Sequence, residues 1–251
     1  MKILIALQFW SGDREHAKAL AQFLSDLEDR HTDLADILLV NRFDCPYLPE
    51  KILDSLKRKF NVFQYRTKSR LTGWPTGCNG LWTSTIEWVR SMSYAGKAPM
   101  YKAVFTCEAD GAPICKDWIS RLHGAWDRVS SIGNLVIAGP MVGSDSPDAA
   151  IATHINGNCL YSGRRDALDW ALRTVPTVHP MTGWDYAMRI EFRKKGWADI
   201  PEIKSYYNSQ TFSLDQYNQM VAAGLVWVHG DKSGILIKHG RERLGLGPNP
   251  W

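Results

Sequence analysis

Two carboxylates separated by one residue follow an apolar segment near the middle of the chain. Glu108 and Asp110 come directly after residues 101–106, which have the composition of a buried strand. In extended backbone, residues two apart point to the same side, so both carboxylates can converge on one hard cation such as Mg²⁺ or Mn²⁺. The alternative is an ordinary turn, since an Asp-Gly pair such as Asp110-Gly111 is common in turns.

A histidine late in the chain belongs to a second segment that could do chemistry. His229 ends the apolar segment 226–228 and is followed by Gly230 and Lys232. Histidine is an acceptable ligand for manganese, lysine is a compact partner for phosphate, and glycine lets backbone approach a ligand closely. The segment is not a Walker A loop, because the first glycine and the spacer before Gly-Lys are missing. A histidine that ends an apolar strand can also be purely structural.

Two further groups could contact a substrate. Asp185 stands near the start of a predicted helix, whose N-terminus would favour the ionised carboxylate and make it a weak general base. The alternative is that Asp185 merely caps that helix. Asn156 and Asn158 offer donors and acceptors that suit sugar hydroxyls. A hairpin turn at Asn156-Gly157 would explain the same residues without any function.

Flat aromatic side chains are abundant, with eleven tryptophans in 251 residues. Trp74 lies in a Gly-Trp-Pro-Thr-Gly loop after the third predicted strand, where it could hold the base of a nucleotide. Trp184 adjoins Asp185 and could shape the side of a site that receives an acceptor. Tryptophans at helical positions, such as Trp88, Trp118 and Trp126, are typical of a core.

A basic cluster lies in the segment 50–70, although the net charge of the whole chain is only +4. Such a cluster is either a solvated helix face and loop or a surface for a polyanionic partner such as DNA. The segment has seven basic residues against two acidic ones. As candidate contacts to a polyanion we name Lys57, Arg58, Arg66, Lys68 and Arg70.

The first half of the chain alternates strand-like and helix-like segments. Short apolar strands separated by helices predict parallel pairing with helices on both faces, which is an open α/β sheet. Ligands bind such sheets beyond the carboxyl ends of the strands, where Glu108 and Asp110 lie. The predicted strands are residues 2–7, 36–40, 61–65, 101–106 and 135–138, and the predicted helices follow residue 13, open at Pro49, and span 80–94 and 116–129.

After residue 138 the pattern is less regular, but no linker divides the chain. We therefore expect one domain over residues 1–251, with a nucleotide-binding half (1–113) and an acceptor-side half that includes the C-terminal tail (114–251). In the second half we predict a mixed segment over 154–162, helices at 165–173 and 184–195, and a strand at 225–229.

Composition excludes several classes of protein. With 45% apolar and 22% charged residues, the chain is neither disordered nor fibrous, and no apolar run is long enough for a membrane span. The N-terminus has the pattern of a first strand and not of a signal peptide, so we expect a cytoplasmic protein, or one of the host cytoplasm if phage-encoded. Five cysteines without a CxxC pair argue against a disulfide framework or structural zinc. Nothing indicates an obligate protein partner.

The order of these motifs resembles the glycosyltransferases with the GT-A fold over about residues 1–232. In that family a strand followed by x-(D/E)-x-D binds a divalent ion, Mn²⁺ or Mg²⁺, that bridges the two phosphates of a nucleotide-sugar donor. The resemblance implies that Asp110 binds the ion, with Glu108 nearer the ribose or reaching the ion through water, and that His229 completes the site. Lys232 or the Gly230 amide would touch the diphosphate. Glu108 departs from the aspartate that is commoner there.

The same resemblance implies a metal-dependent transfer of a sugar from a UDP-linked donor to a hydroxyl. Asn156 and Asn158 would line the donor-sugar pocket, and Asp185 would remove the acceptor proton in an inverting enzyme or only hold the acceptor in a retaining one. The compact build is similar to phage-type enzymes that glycosylate hydroxymethylated pyrimidines in DNA, while a glycan or protein hydroxyl is equally open. The alternatives are a nucleotidyltransferase, which would release pyrophosphate, and a non-catalytic nucleic-acid or sugar-binding module.

Overall fold

A computed structural model describes residues 1–131, 133–143, 153–174, 181–206 and 211–248. These residues form strands and helices in alternation through the first half of the chain. The strands are β1 (Ile3–Phe9), β2 (Ala35–Asn41), β3 (Asn61–Arg66), β4 (Ala103–Glu108), β5 (Gly111–Pro113), β6 (Ile137–Gly139), β7 (Met141–Val142), β8 (His154–Ile155), β9 (Cys159–Ser162), β10 (Trp197–Asp199), β11 (Ile203–Ser205) and β12 (Trp227–His229). The helices are α1 (Arg14–Leu27), α2 (Glu50–Lys57), α3 (Thr76–Tyr94), α4 (Trp118–Ser130), α5 (Arg165–Thr174), α6 (Trp184–Ala187), α7 (Arg189–Lys195), α8 (Leu214–Ala222) and α9 (Ile235–Leu244).

The central sheet has seven strands in the order β10-β6-β9-β4-β1-β2-β3. All neighbours are parallel except β9, which is antiparallel to both β4 and β6. Parallel pairing places the carboxyl ends of β1, β2, β3 and β4 at one edge of the sheet. We call this the carboxyl edge, and the opposite one the amino edge.

Both faces of the sheet are buried by helices. Along β1, Ile3, Ile5 and Leu7 pack with α1, α2 and α4, whereas Leu4 and Ala6 face α3 and α5 on the other side. Side chains alternate along a strand, so a continuous apolar strand supplies two cores at once. The open sheet with helices on both faces, predicted from the sequence, is therefore confirmed.

A small second sheet positions the end of β12 beside the end of β4. Its order is β11-β12-β5, with β12 antiparallel to β5 and His229 opposite Gly111. Because β5 follows β4 after a two-residue turn, this pairing brings a residue from the last fifth of the chain next to Glu108 and Asp110. A histidine and two carboxylates that are distant in sequence thus become neighbours.

The second half differs from the predictions in detail. The predicted helix 184–195 is broken at Met188 into α6 and α7, and the mixed segment 154–162 is two strands, of which β9 inserts into the central sheet. Six short elements were not predicted from the sequence: β5, β7, β10, β11, α8 and α9. Residues 144–152, and residues 249–251 of the C-terminal tail, lie outside the described residues. The division into halves at residue 113 stays a prediction. None of the helices described is long and apolar enough to cross a bilayer.

Candidate active site

A cleft of about 680 Å³ opens at the carboxyl edge of the central sheet. Residues at the ends of β1 and β4 form its floor, and the turn after β8 and helix α6 form one wall. This is the position at which open α/β sheets bind ligands, because loops from several strands meet there. Glu108, Asp110, Asp185, His229 and Lys232 all line the same cleft.

Glu108, Asp110 and His229 form a compact group of three potential metal ligands. One ligand atom from each lies within 4.8 Å of the others. His229 Nε2 is 2.9 Å from Glu108 Oε2 and 3.2 Å from Asp110 Oδ1. The structure therefore brings together all three residues that the sequence analysis named as metal ligands.

The backbone holds this group in place from both sides. The Asp110 carbonyl accepts hydrogen bonds from the backbone amides of Gly230 (3.2 Å) and Asp231 (2.8 Å). On the other side, the Ser205 hydroxyl lies 3.0 Å from His229 Nδ1, which orients the imidazole so that Nε2 faces the carboxylates. Such a partner at the remote ring nitrogen is the usual way to fix a histidine ligand.

The residues present fit a divalent cation. His229 Nε2 and Asp110 Oδ2 are buried and have no hydrogen bond of acceptable geometry to any described residue, although each lies within ion-pair distance of an opposite charge. Buried polar atoms without such bonds are uncommon unless an ion or water uses them. Two carboxylates and an imidazole suit Mn²⁺, and the oxygen ligands also suit Mg²⁺.

The opposite charges of the group compensate one another. Burial lowers the pKa of His229, but the adjacent Asp110 and Glu108 carboxylates outweigh it and raise the pKa to about 10. Burial raises the pKa of Asp110, but His229 and the contacting Lys232 ammonium hold it well below its usual range. A cation that binds here must therefore displace the proton of His229, since an imidazole coordinates only in its neutral form.

Gly230 has a backbone that other residues adopt only with strain. Its φ is +105°, and a Cβ built on it would lie 2.1 Å from the Tyr206 carbonyl oxygen. A backbone hydrogen bond holds these two segments together, since the Tyr206 amide donates to the His229 carbonyl at 3.0 Å. Glycine is therefore required both by the positive φ and by the close approach.

Gly230→Ala is expected to destabilise the fold and to displace His229 from the carboxylates. The loss should exceed about 1 kcal/mol, because the new methyl group meets a backbone carbonyl that cannot move freely. The measurements are the free energy of unfolding in urea and the affinity for Mn²⁺. The control is Gly124→Ala in α4, where an added Cβ has no neighbour within 4 Å and alanine should be neutral or stabilising. Equal effects of the two substitutions would contradict this account of Gly230.

Asn156 and Asn158 connect the turn after β8 to the carboxylates. The Glu108 amide donates to Asn158 Oδ1 at 3.0 Å, and the backbone and side-chain amides of Asn158 both donate to Asn156 Oδ1. With only 1% of its surface exposed and both ends of its amide engaged, Asn158 holds Glu108 in position. Both asparagines still border the cleft, as predicted for donor binding.

Asp185 faces the cleft from the first turn of α6. Its Oδ1 accepts the Tyr186 amide at 2.8 Å and its Oδ2 the Gly157 amide at 3.2 Å, with His154 Nε2 4.0 Å away. Burial raises the pKa of Asp185, and His154 and these amides offset only part of that. Burial thus opposes the effect that the sequence analysis expected from the helix N-terminus, and the role of Asp185 as a base stays a prediction.

The two tryptophans named from the sequence have different environments. Trp184 stacks on Trp82 with ring centroids 4.5 Å apart and is 6% exposed, so it supports the wall of the cleft and offers only an edge. Trp74 is 77% exposed at the mouth of the cleft. An aromatic face is therefore available at Trp74 and mostly covered at Trp184.

The basic cluster does not form one surface. Lys57 and Arg58 end α2, which returns the chain from the carboxyl edge to the start of β3, so both lie toward the amino edge and away from the cleft. Arg66, Lys68 and Arg70 follow or end β3 on the carboxyl edge. Predicting a single acceptor contact for all five was wrong, because a parallel strand and the helix before it run in opposite directions.

Several residues that line the cleft were missed by the sequence analysis. Gln8, Trp10 and Asp13 lie at or just after the carboxyl end of β1, and His154 lies in β8. Burial raises the pKa of Asp13, as do Asp110 and Glu108, while Lys232 lowers it. The rule that located Glu108, a polar residue after a buried parallel strand, would also have located Trp10 and Asp13.

Comparison with solved structures relates this geometry to known proteins. The bifunctional glycosyltransferase WbbM superimposes with a TM-score of 0.63 at 11% identity, over 100% of this chain and 50% of its own. GlyE, a glycosyltransferase of Streptococcus pneumoniae, superimposes with a TM-score of 0.54 at 8% identity, over 100% of this chain and 66% of its own. Mouse xyloside xylosyltransferase 1 superimposes with a TM-score of 0.54 at 10% identity, over 92% of this chain and 98% of its own.

Neither a family model nor a curated protein sequence matches this chain. The present chain spans half of WbbM and two thirds of GlyE, so activities of those whole proteins do not transfer directly. At 8–11% identity the similarity is one of fold. The chain has the fold of these glycosyltransferases, as the order of its motifs indicated.

Proposed function

We propose that this chain transfers a sugar from a nucleotide diphosphate sugar, UDP-linked, to a hydroxyl acceptor in a reaction that requires a divalent metal. The observation that carries the proposal is the meeting of Glu108, Asp110 and His229 in the cleft of a glycosyltransferase fold. These residues come from β4, the turn after it and β12, so their convergence is a property of the fold and not of a local sequence motif.

Mn²⁺ or Mg²⁺ would be held by the two carboxylates and His229. When bound, such an ion neutralises charge that develops on a leaving diphosphate. Lys232 is exposed at the cleft and places a second positive charge beside Asp110, where it suits a phosphate oxygen. Trp74 at the mouth offers an open face for the base of the donor.

Asp185 is the proposed general base for the acceptor hydroxyl. Its carboxylate lines the cleft, and each oxygen accepts one backbone amide, which leaves lone pairs for a proton. The pKa raised by burial makes it a stronger base than an ordinary aspartate. In an enzyme that retains configuration, the same carboxylate would hold the acceptor and not remove its proton.

For the acceptor we propose a hydroxyl carried by DNA, such as that of a hydroxymethylated pyrimidine. Arg66, Lys68 and Arg70 support this choice, since all three are exposed at the carboxyl edge. Such an enzyme would be a DNA-modifying transferase of the kind that phages encode.

The experiment is a thermal-shift screen of nucleotide sugars with and without Mn²⁺. A UDP-sugar is expected to stabilise the protein only when Mn²⁺ is present, by about 2.7 kcal/mol at 100 times its Kd, or roughly 5–10 °C for a chain of this size. His229→Gln should lose this response. If no nucleotide sugar stabilises the protein with Mn²⁺, the proposal fails. Release of pyrophosphate in place of UDP would instead identify a nucleotidyltransferase.

A further inference from the structure

Beside the cleft lies a second feature, built from aromatic and basic side chains on the loops after β2 and β3. We define this cation–aromatic surface as Phe43, Tyr47, Arg66, Lys68 and Arg70. The two arginines lie over the two rings, with 4.4 Å from the Arg66 guanidinium carbon to the Tyr47 ring centre and 4.9 Å from that of Arg70 to Phe43. Both arginines and Tyr47 are exposed, so the stacks face solvent.

Among the described residues, the cations of this surface have no anionic partner. Within the described residues, no carboxylate lies within 4.0 Å of Arg66, Lys68 or Arg70, although Lys57 near the amino edge pairs with Glu50 and Asp54. Asp44, which follows Phe43 of this surface directly in sequence, is bound by Arg42. The positive charge of the cation–aromatic surface is therefore available to a ligand, whereas that of Lys57 is compensated by two neighbouring carboxylates.

The surface is continuous with the cleft. The strand order β4-β1-β2-β3 places the loops after β2 and β3 beside the loop after β1, which lines the cleft. Trp74, on the loop after β3, lies at the mouth of the cleft and presents an uncovered ring. A chain-like ligand that lies on the surface can thus reach the reacting groups.

We propose that the cation–aromatic surface binds the acceptor as a single nucleic-acid strand with unpaired bases. Phosphates would contact Arg66, Lys68 and Arg70, and bases would stack on exposed aromatic and guanidinium planes, which is the mode of sequence-tolerant single-strand binding. In a duplex the faces of the bases are already stacked on each other, so they are not free to stack on this surface. A polyanion without rings would contact only the positive charges of the surface. The inference rests on the proposed DNA acceptor and specifies its form.

The test measures the anisotropy of a labelled single strand of about ten nucleotides, a length in the range of one binding site of this kind. Unlabelled competitors are the same strand, its duplex, an abasic strand of equal length, and heparin. The base-containing single strand is expected to compete at least tenfold better than the other three. A binding preference for any of those three over the base-containing strand, or equal competition by all four, would overturn the inference.

Variants locate the binding on the surface. The double variant Arg66→Gln/Arg70→Gln is expected to weaken binding at least tenfold and to lower the slope of log K against log salt concentration by about 1.4, for two phosphate contacts. Tyr47→Ala should weaken binding about 5–100-fold through lost stacking. Lys57→Gln near the amino edge should change nothing. If it weakens binding as much as the double variant does, the proposed location is wrong.

Two readouts separate this inference from the proposed function. Mn²⁺-dependent stabilisation by a UDP-sugar with no binding of any oligonucleotide would overturn the inference and leave sugar transfer standing. Oligonucleotide binding without any response to nucleotide sugars would instead refute sugar transfer and support a nucleic-acid-binding module. Unfolding curves of each variant check that the fold is intact.

Discussion

Asp110→Asn is expected to lower turnover by about 10²–10³-fold and to remove Mn²⁺-dependent binding of UDP. Asp110 is the most buried of the three ligand residues, at 5% exposure, and its carboxylate contacts both His229 and Lys232. An amide keeps the shape but loses the charge that holds a divalent ion. Since a bound metal contributes several kcal/mol to such reactions and each ~1.4 kcal/mol is a factor of ten, the expected loss is of this size.

The matched control is Asp127→Asn, the same change at an exposed carboxylate that pairs with Lys102 at 2.7 Å. It should leave turnover and UDP binding unchanged, because exposed ion pairs contribute little and Asp127 lies far from the cleft in the fold, on α4. The measurements are isothermal titration of Mn²⁺ and UDP and steady-state kinetics on both variants. Equal metal-dependent UDP binding by wild type and Asp110→Asn would remove the proposed metal site.

The meeting of Asp110 and His229 was expected from the order of motifs that resembles the GT-A glycosyltransferases, and not from strand periodicity alone. The strand-end rule for parallel sheets locates Glu108 and Asp110 after β4. It does not extend to His229, because β12 lies in the small sheet and is antiparallel to β5. What the sequence did not show is how they meet. β12 reaches Asp110 through β5, a three-residue strand with no periodicity to recognise.

The position of β9 explains much of what the sequence analysis missed. Antiparallel to its neighbours, β9 inserts between β4 and β6, although β6 follows β4 sooner in the chain. Its four residues are all buried, so the alternation that marks a half-exposed strand is absent. This insertion places the turn at 156–158 against Glu108 and Asp185, and hence fixes the geometry of the wall.

Electrostatic predictions were harder than positional ones. For Asp185, the sequence showed a helix start and therefore a stabilised anion, but the pKa depends on how deeply the tertiary fold buries the carboxylate. The error on Lys57 and Arg58 was avoidable, since the predicted order strand, helix, strand already implies that the end of α2 lies away from the carboxyl edge.

Trp82→Ala is expected to cost roughly 3–5 kcal/mol of folding stability and to reduce catalysis. Trp82 is 0% exposed, between the central sheet and α6, where its ring stacks on Trp184 at an angle of 11° and also contacts Tyr161 at 5.7 Å. Removing a buried indole leaves a cavity whose lining loses its contacts, which gives a loss of this size.

The loss of catalysis follows from the same contact. Trp184 precedes Asp185 directly, and its ring depends on Trp82 for one of its faces. Trp74→Ala deletes an equal volume at 77% exposure and should change stability by less than about 0.5 kcal/mol, which makes it the control for the unfolding measurement. If Trp82→Ala proves no more destabilising than Trp74→Ala in urea, the stacked pair does not support the wall. If it is destabilising but kcat is unchanged, Asp185 is held by its hydrogen bonds to Gly157 and Tyr186 alone.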